Sequence, residues 1–333
     1  MNICIIGAGA IGGLLGARLA QAGHAVSLVA RGAHLAAIRA GGLRLRSKKE
    51  SLTLRVNASD SVAGIGPQDA VIITLKAYSI AAMLPQLAPL MGPQTVVIPA
   101  INGIPWWYFY KDDGRFDGEP VGCIDPDGAM LRSLDCARIL GCVVHASAEV
   151  VEPGVIEHTA GRRFILGEPD GSRSERAGRI AAALEQAGLD APLSERIRDA
   201  IWTKLIGNLA FNPICALTAA RMDQAMQNPA IVELTRTVMG EGMCVGAAYG
   251  ARFGMSIDER LQMAQRIGNS KVSMLQDLER GRPLEFEAIV GAVCEFARRA
   301  GISTPATDLI YTLIRQRGMS AVQPAGVSMH YNP

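Results

Sequence analysis

The feature that most constrains this chain is its opening. An apolar run, Asn2-Ile3-Cys4-Ile5-Ile6, leads into Gly7-Ala8-Gly9-Ala10-Ile11-Gly12 and then a helical pattern over residues 11–22. Glycines at the first, third and sixth positions of a strand-to-helix turn have separate uses. The first allows the tight turn, the second lets a pyrophosphate approach the backbone, and the third lets helix and strand pack closely. The start of the helix then offers unpaired N–H groups and a positive dipole end to phosphate. Gly16 extends the small-residue face turned toward the sheet. The pattern predicts a dinucleotide-binding βαβ unit, with Gly7, Ala8, Gly9, Ala10, Ile11 and Gly12 forming the cofactor-binding turn.

The ribose end of such a unit is read from the second strand. A unit that prefers NAD places Asp or Glu at the end of that strand to hold the ribose 2′-hydroxyl. Here the candidate strand, residues 25–29, runs into Ala30-Arg31, and no Asp or Glu occurs before Glu50. The same stretch holds Arg18, Arg31, Arg39, Arg44, Arg46, Lys48 and Lys49. Arg31 stands where a guanidinium meets a 2′-phosphate by a charge-assisted, bidentate contact. The expected cofactor is therefore NADP(H). Two further positions follow predicted strands over 71–75 and 95–99, namely Lys76 and Asn102-Gly103. Ligands of open parallel sheets bind at the carboxyl ends of strands, which makes Lys76 and Asn102 candidate cofactor contacts; the bland alternative is two surface residues.

Downstream, the first half continues in alternation. A helix is expected over 33–40, a short antiparallel excursion over 43–46 and 52–56, β-like runs over 139–151, 154–159 and 163–167, and a helix over 173–187. After Ser194 the periodicity is helical, at 194–217, 229–249, 258–279, 284–300 and 305–316. The fold class expected is α/β, with a Rossmann-type doubly wound sheet over 1–192 and an all-helical domain for substrate and dimerisation over 193–333. Residues 105–135 are the least regular stretch. They carry Trp106, Trp107, Tyr108, Phe109 and Tyr110, and are read as a long loop or lid, or an interface patch.

Composition narrows the function classes. Hydrophobic residues are 49% and charged residues 19%, enough for a substantial core. A net charge of +2 gives no electrostatic case for nucleic acid or an anionic membrane. The 7 cysteines form no CxxC pair, and His24, His34, His145, His158 and His330 show no ligand spacing. Neither a disulfide framework nor a metal site is expected, and reduced thiols fit a cytoplasmic protein. No signal-peptide pattern precedes the first strand. The most apolar long stretch, residues 205–220, is interrupted by Asn208, Asn212 and Pro213, so it reads as a buried helix rather than a membrane span.

That stretch also carries the chemistry. Lys204, Asn208 and Asn212 lie at i, i+4 and i+8 and share one helix face over about 12 Å. A cation and two amides on an apolar helix are costly to bury unless they meet a polar ligand, although a hydrated face or an interhelical network would also satisfy them. Reduction of a carbonyl needs a proton at the developing alkoxide, and a lysine ammonium both supplies it and stabilises the charge.

Taken in order, these motifs resemble the ketopantoate reductase (2-dehydropantoate 2-reductase) family over nearly the whole chain. The resemblance runs through the glycine turn, Val29-Ala30-Arg31, Leu75-Lys76-Ala77, Asn102-Gly103 and Trp202-x-Lys204-x3-Asn208-x3-Asn212-Pro213. It continues in Ser273-Met274-Leu275-Gln276-Asp277 and in Glu285-x-Glu287 with Gly291. It implies NADPH-dependent reduction of a 2-keto acid, ketopantoate to pantoate for pantothenate synthesis, with Lys204 as general acid. It also implies Asn102, Asn208, Asn212 and Ser273 around the substrate, Glu285 near the substrate hydroxyl and Lys76 in the cofactor cleft. Ile101 departs from the glutamine common in the family, and Met222 from an asparagine of some members.

Two other readings share parts of this pattern. A dehydrogenase of the 6-phosphogluconate or glycerol-3-phosphate type would need a phosphate-binding arginine pair in the helical half, for which Arg221 and Arg236 are the candidates. A non-catalytic NADP sensor would need no proton donor, so the Lys204 set argues against it. The apolar helical half is compatible with a homodimer.

Overall fold

The computed structural model describes residues 1–268 and 270–322; His330 lies outside the described residues. The chain divides into two compact units, Met1–Ile201 and Trp202–Pro333. The boundary falls inside one helix, α6 (below).

The first unit is built on a five-stranded parallel sheet in the order β5-β2-β1-β6-β7. Its strands are β1 (Asn2–Ile6), β2 (Ala25–Val29), β5 (Asn57–Ser59), β6 (Gln68–Ile73) and β7 (Met91–Pro99). The central strands are continuous apolar runs because both faces are covered, as in β1, where every residue after Asn2 is buried. Helices α1 (Ala10–Gln21) and α2 (Gly32–Gly41) follow β1 and β2. The expected strand over 71–75 starts earlier and ends earlier, as Thr74, whose N–H donates to the Ile6 carbonyl at 2.9 Å, already belongs to the turn beyond it.

A second sheet, β4-β3-β9-β8, holds β3 (Leu43–Arg46), β4 (Ser51–Leu54), β8 (Gly141–Glu152) and β9 (Val155–Gly167). The excursion of β3 and β4 is antiparallel, as expected. The two runs expected over 154–159 and 163–167 form the single strand β9. Gly161 absorbs the irregularity as a bulge: its φ is +66°, and a Cβ there would stand 2.3 Å from the His145 carbonyl oxygen. Helix α1 is held between the sheets by its glycines. A Cβ on Gly16 would come 2.7 Å from Leu28 in β2, and one on Gly13 would come 2.6 Å from Ile156 in β9. Helix α5 (Glu175–Gln186) is capped by the Ser174 hydroxyl, which accepts the Ala177 N–H.

Residues 105–135 are irregular, as expected, apart from short turns that include α4 (Ala129–Ser133); another short helix, α3 (Ile80–Met83), precedes β7. The expectation of a lid or interface patch is overturned. Trp106, Trp107, Tyr108 and Phe109 are each at most 1% exposed, so they are core, not surface. A segment without regular structure must find other partners for its carbonyls. Arg198 supplies them, donating to the carbonyls of Tyr108 at 2.8 Å and Tyr110 at 2.7 Å while pairing with Asp112 at 3.1 Å.

The second unit is helical. Its long helix α6 (Ile197–Thr218) begins in the first unit and continues through Pro213; α7 (Met222–Gln227), α8 (Pro229–Ala248), α9 (Ile257–Ile267), α10 (Ser273–Glu279), α11 (Ala292–Ala300) and α12 (Pro305–Val322) follow. The single helix expected over 258–279 is broken at Gly268, where φ is +71°, a conformation that stops a helix. The helix expected over 284–300 opens instead with a π-turn, Glu287–Gly291. The start of α12 is capped by Glu241 of α8, whose carboxylate accepts the Ala306 and Thr307 N–H groups at 3.0 and 2.8 Å. Among the described residues no helix is long and apolar enough to cross a membrane.

Candidate functional site

In the first sheet the carboxyl ends of four strands share one register row: Val29 pairs with Ile6, Ile6 with Ile73, and Ile73 with Pro99. Arg31, Gly7, Lys76 and Asn102 therefore emerge along one edge of the sheet, the edge where open parallel sheets hold ligands. The turn after β1 is tied down by its own backbone. The N–H groups of Gly7 and Ala8 both donate to the Val29 carbonyl at 3.0 Å, and Gly7 has φ +98°. Thr74, not foreseen from the sequence, completes the turn by donating its hydroxyl to the Gly7 carbonyl at 2.5 Å. The sequence offered no signal for it, since the strand expected over 71–75 enclosed Thr74.

Each glycine of the motif has a distinct constraint. A Cβ on Gly12 would lie 2.1 Å from the Gly7 oxygen and 2.4 Å from the Thr74 hydroxyl, so no side chain fits there. A Cβ on Gly9 would meet nothing within 4 Å, which leaves the N-terminus of α1 open. That terminus has no side-chain cap and no acidic residue in its first turn. The first helical bond is from Gly13 N–H to the Gly9 carbonyl, at 2.7 Å, so the preceding N–H groups of the helix have no intrahelical acceptor. A phosphate fits this arrangement.

Past β2, Arg31 is the exposed N-cap residue of α2. Other cations of the basic stretch are engaged: Arg18 pairs with Glu50, and Arg39 donates to the Ala58 carbonyl at 2.9 Å. Lys76 is half-buried at the start of a short 3-10 turn, and Asn102 is half-buried ahead of Gly103, whose φ is +80°.

In the second unit the polar stripe lies on α6. The back of this helix is seated against α8 at two glycines. A Cβ on Gly242 would come 2.5 Å from Leu209 and one on Gly246 2.9 Å from Trp202. Trp202, Ile206 and Leu209 are thereby turned inward at 0% exposure, with Trp202 6.1 Å from Phe296. At 100° per residue, Lys204 lies nearly opposite the centre of that seam and Asn208 about 130° from it, while Asn212 sits on its flank, about 90° round. Lys204 and Asn208 are half-buried and Asn212 is 4% exposed.

Ser273 is the exposed first residue of α10. Glu285 is buried and stands just ahead of the π-turn, after a link that bends at Gly281 with φ +61°. Within the turn the Glu287 carboxylate folds back over Gly291, where a Cβ would stand 2.4 Å from its oxygen, and that oxygen accepts the Tyr311 hydroxyl at 2.8 Å. Single-turn π segments recur at functional sites. The two arginines that a phosphorylated substrate would require are committed elsewhere, Arg221 to Asp223 at 3.1 Å and Arg236 to Asp258 at 2.7 Å.

Comparison with known families agrees with both units. Residues 3–106 match the family model of ketopantoate reductase PanE/ApbA, and residues 196–318 match the model of its C-terminal domain. A 2-dehydropantoate 2-reductase of Mesorhizobium japonicum is 45% identical over 95% of this chain and 97% of its own length. The chain belongs to the ketopantoate reductase family. It is accordingly a nicotinamide-dinucleotide-dependent oxidoreductase. A 2-dehydropantoate 2-reductase of Pyrococcus horikoshii is 30% identical over 95% of this chain and 97% of its own. Among solved structures, 2-dehydropantoate 2-reductase from Geobacter metallireducens superposes with a TM-score of 0.84 at 29% identity, over 95% of this chain and 99% of its own. D-mandelate dehydrogenase in complex with NADH and anilino(oxo)acetate superposes at 0.82 with 22% identity, over 96% and 99%, a likeness of fold alone. Of the two departures from the family pattern, Met222 is buried as the first residue of α7 and Ile101 is half-buried.

Proposed function

We propose that this family member reduces a 2-keto acid with NADPH, that the acid is ketopantoate, and that the product is pantoate for pantothenate synthesis. The observation that carries the reaction type is the stripe of Lys204, Asn208 and Asn212 on α6, with Lys204 and Asn208 half-buried on the side away from the glycine seats of Gly242 and Gly246 and Asn212 buried on the flank. The 2-dehydropantoate 2-reductases at 45% and 30% identity support the choice of substrate.

The residues divide the work by chemistry. Ala10, Ile11 and Gly12 offer N–H groups to the pyrophosphate, and Arg31 offers its guanidinium to the 2′-phosphate. Lys76 and Asn102 line the same sheet edge. When bound, the reduced nicotinamide supplies a hydride to the keto carbon. The carbonyl π pair then becomes an oxygen lone pair, and the Lys204 ammonium donates a proton to that oxygen, leaving a neutral amine that solvent reprotonates. Asn102, Asn208, Asn212 and Ser273 orient the acid by hydrogen bonds, and Glu285 accepts one from the substrate hydroxyl. The protein is proposed to work as a cytoplasmic homodimer, without nucleic acid, membrane or metal.

The test is a steady-state NADPH-oxidation panel that sets ketopantoate against other branched and linear 2-keto acids. Ketopantoate is expected to give the highest kcat/KM. Weak turnover of ketopantoate beside strong turnover of another acid would reassign the substrate.

A further inference from the structure

The glycine turn is closed on one side by a residue of a different strand. Thr74 follows Ile73, the last residue of β6, and is half-buried. Its N–H donates to the Ile6 carbonyl at 2.9 Å, and its hydroxyl donates to the Gly7 carbonyl at 2.5 Å. The hydroxyl oxygen also lies 3.3 Å from the Ile6 carbonyl, but a hydroxyl has one proton and the shorter contact takes it.

The Gly7–Ala8 peptide is thereby fixed at both ends. Its N–H, carried by Ala8, donates to the Val29 carbonyl at 3.0 Å, while its C=O accepts from Thr74. A peptide group is planar, so bonds on its two opposite edges hold the whole plane. This matters at Gly7, whose φ of +98° and missing Cβ leave the chain freer to turn than at any other residue type. The bonded pair is also the seat of the first turn of α1. A Cβ on Gly12 would stand 2.1 Å from the Gly7 oxygen and 2.4 Å from the Thr74 hydroxyl, so Gly12 rests directly against both. That turn, Ala10 to Gly12, carries the N–H groups without intrahelical acceptors.

We propose that Thr74 is a positioning residue for the dinucleotide: through the Gly7 carbonyl, its hydroxyl holds the first turn of α1 where the N–H groups of that turn meet the pyrophosphate. This rests on the reading of the turn as the cofactor site. A glycine turn that must be ordered when its ligand arrives costs affinity, and a turn already held does not. The pyrophosphate is common to NADPH and NADH, so Thr74 acts on both alike, whereas Arg31 acts on the 2′-phosphate alone.

Two substitutions isolate the hydroxyl. Thr74→Ser and Thr74→Ala both remove the methyl group, and they differ from each other only in the hydroxyl. Dissociation constants for NADPH and NADH are measured by nucleotide fluorescence at pH 7.5, below the melting transition of every variant, with melting temperatures recorded alongside. Thr74→Ser is expected to bind both nucleotides within about twofold of the parent. Thr74→Ala is expected to bind both about fivefold to tenfold more weakly, the size of one net hydrogen bond. A hydroxyl with a structural role alone would lower the melting temperature of Thr74→Ala and leave binding by its folded form intact. Should Thr74→Ala fail to fold, Thr74→Val, which keeps the methyl group and lacks the hydroxyl, takes its place with the same expected loss. Unchanged binding of both nucleotides by Thr74→Ala, a loss confined to NADPH, or equal weakness of Thr74→Ser and Thr74→Ala would each overturn the proposal while leaving the cofactor reading intact. A parent protein that binds neither nucleotide would overturn the cofactor reading itself.

Discussion

The two units prepare for their ligands with different materials. Between Met1 and Ile201 the candidate contacts are largely backbone: N–H groups at the start of α1, carbonyls tied back by Thr74 and by the N–H groups of Gly7 and Ala8, and Arg31 as the principal charge. From Trp202 onward they are side chains, an ammonium and two amides on α6 with a serine and a carboxylate from later elements. Backbone donors are aimed by the local path of the chain, so a few glycines suffice to place them. A side-chain stripe points the right way only if its helix is rotated correctly, and that rotation is set by Gly242 and Gly246, some forty residues away in sequence. Binding of a nucleotide can thus be specified locally, whereas placing a proton donor requires a packed domain.

This contrast can be broken by experiment. The largest effect belongs to the side-chain unit: Lys204→Ala is expected to lower kcat by about 10²- to 10⁴-fold while the Kd for NADPH stays within about twofold. A near-normal kcat would remove Lys204 as the acid, and a parallel loss of NADPH binding would erase the division of labour. Next in size, Arg31→Ala is expected to reduce the NADPH-over-NADH ratio of kcat/KM by about tenfold or more, the scale of a hydrogen bond between charged groups, with kcat/KM for NADH little changed. An unchanged ratio would refute the assignment of the 2′-phosphate to Arg31.

The smallest effect sharpens the account of the first unit. His34 and His24 both have pKa values below their ordinary 6.5, His34 through burial and His24 through burial followed by the N-terminal ammonium. The unfolded chain therefore takes up protons first on acidification. Their contribution is complete above pH 6.5 and declines as pH falls through 6.5 toward the lower folded values. Protonation of His34 would also set an Nδ1–H against the Gly154 N–H that it now accepts. Thermal melts between pH 7.5 and 5.5 should show Tm falling by roughly a few degrees, with a shallower fall in His34→Asn. An identical slope in that variant would mean that His34 is not one of the groups responsible.

Much of the first unit was legible in the sequence because its signals are local. The glycine turn, the continuous apolar strands and the absence of an acid before Glu50 each act within a few residues of where they occur. The less legible features depend on distant partners. Gly161 reads as the end of a strand until it is seen opposite His145, where it is a bulge that lets β9 continue. The aromatic run from Trp106 to Phe109 reads as an exposed patch because the polar residues after it suggest a loop, and the donor for its carbonyls at Tyr108 and Tyr110 is Arg198, about ninety residues on. Thr74 and His34 carried no recognisable spacing, since their partners, Gly7 and Gly154, are reached only through the fold.

By itself, then, the sequence determined the βα alternation, the glycine turn between β1 and α1, the acid-free basic stretch before Glu50 and the spacing of Lys204, Asn208 and Asn212. All of these follow from hydrophobic period, glycine sterics and side-chain type. Tertiary structure decided which carbonyls and N–H groups of that turn are already engaged, which face of α6 is turned outward and where the aromatic run is buried. Each of these is a contact between residues far apart in the chain, and only folding makes such neighbours.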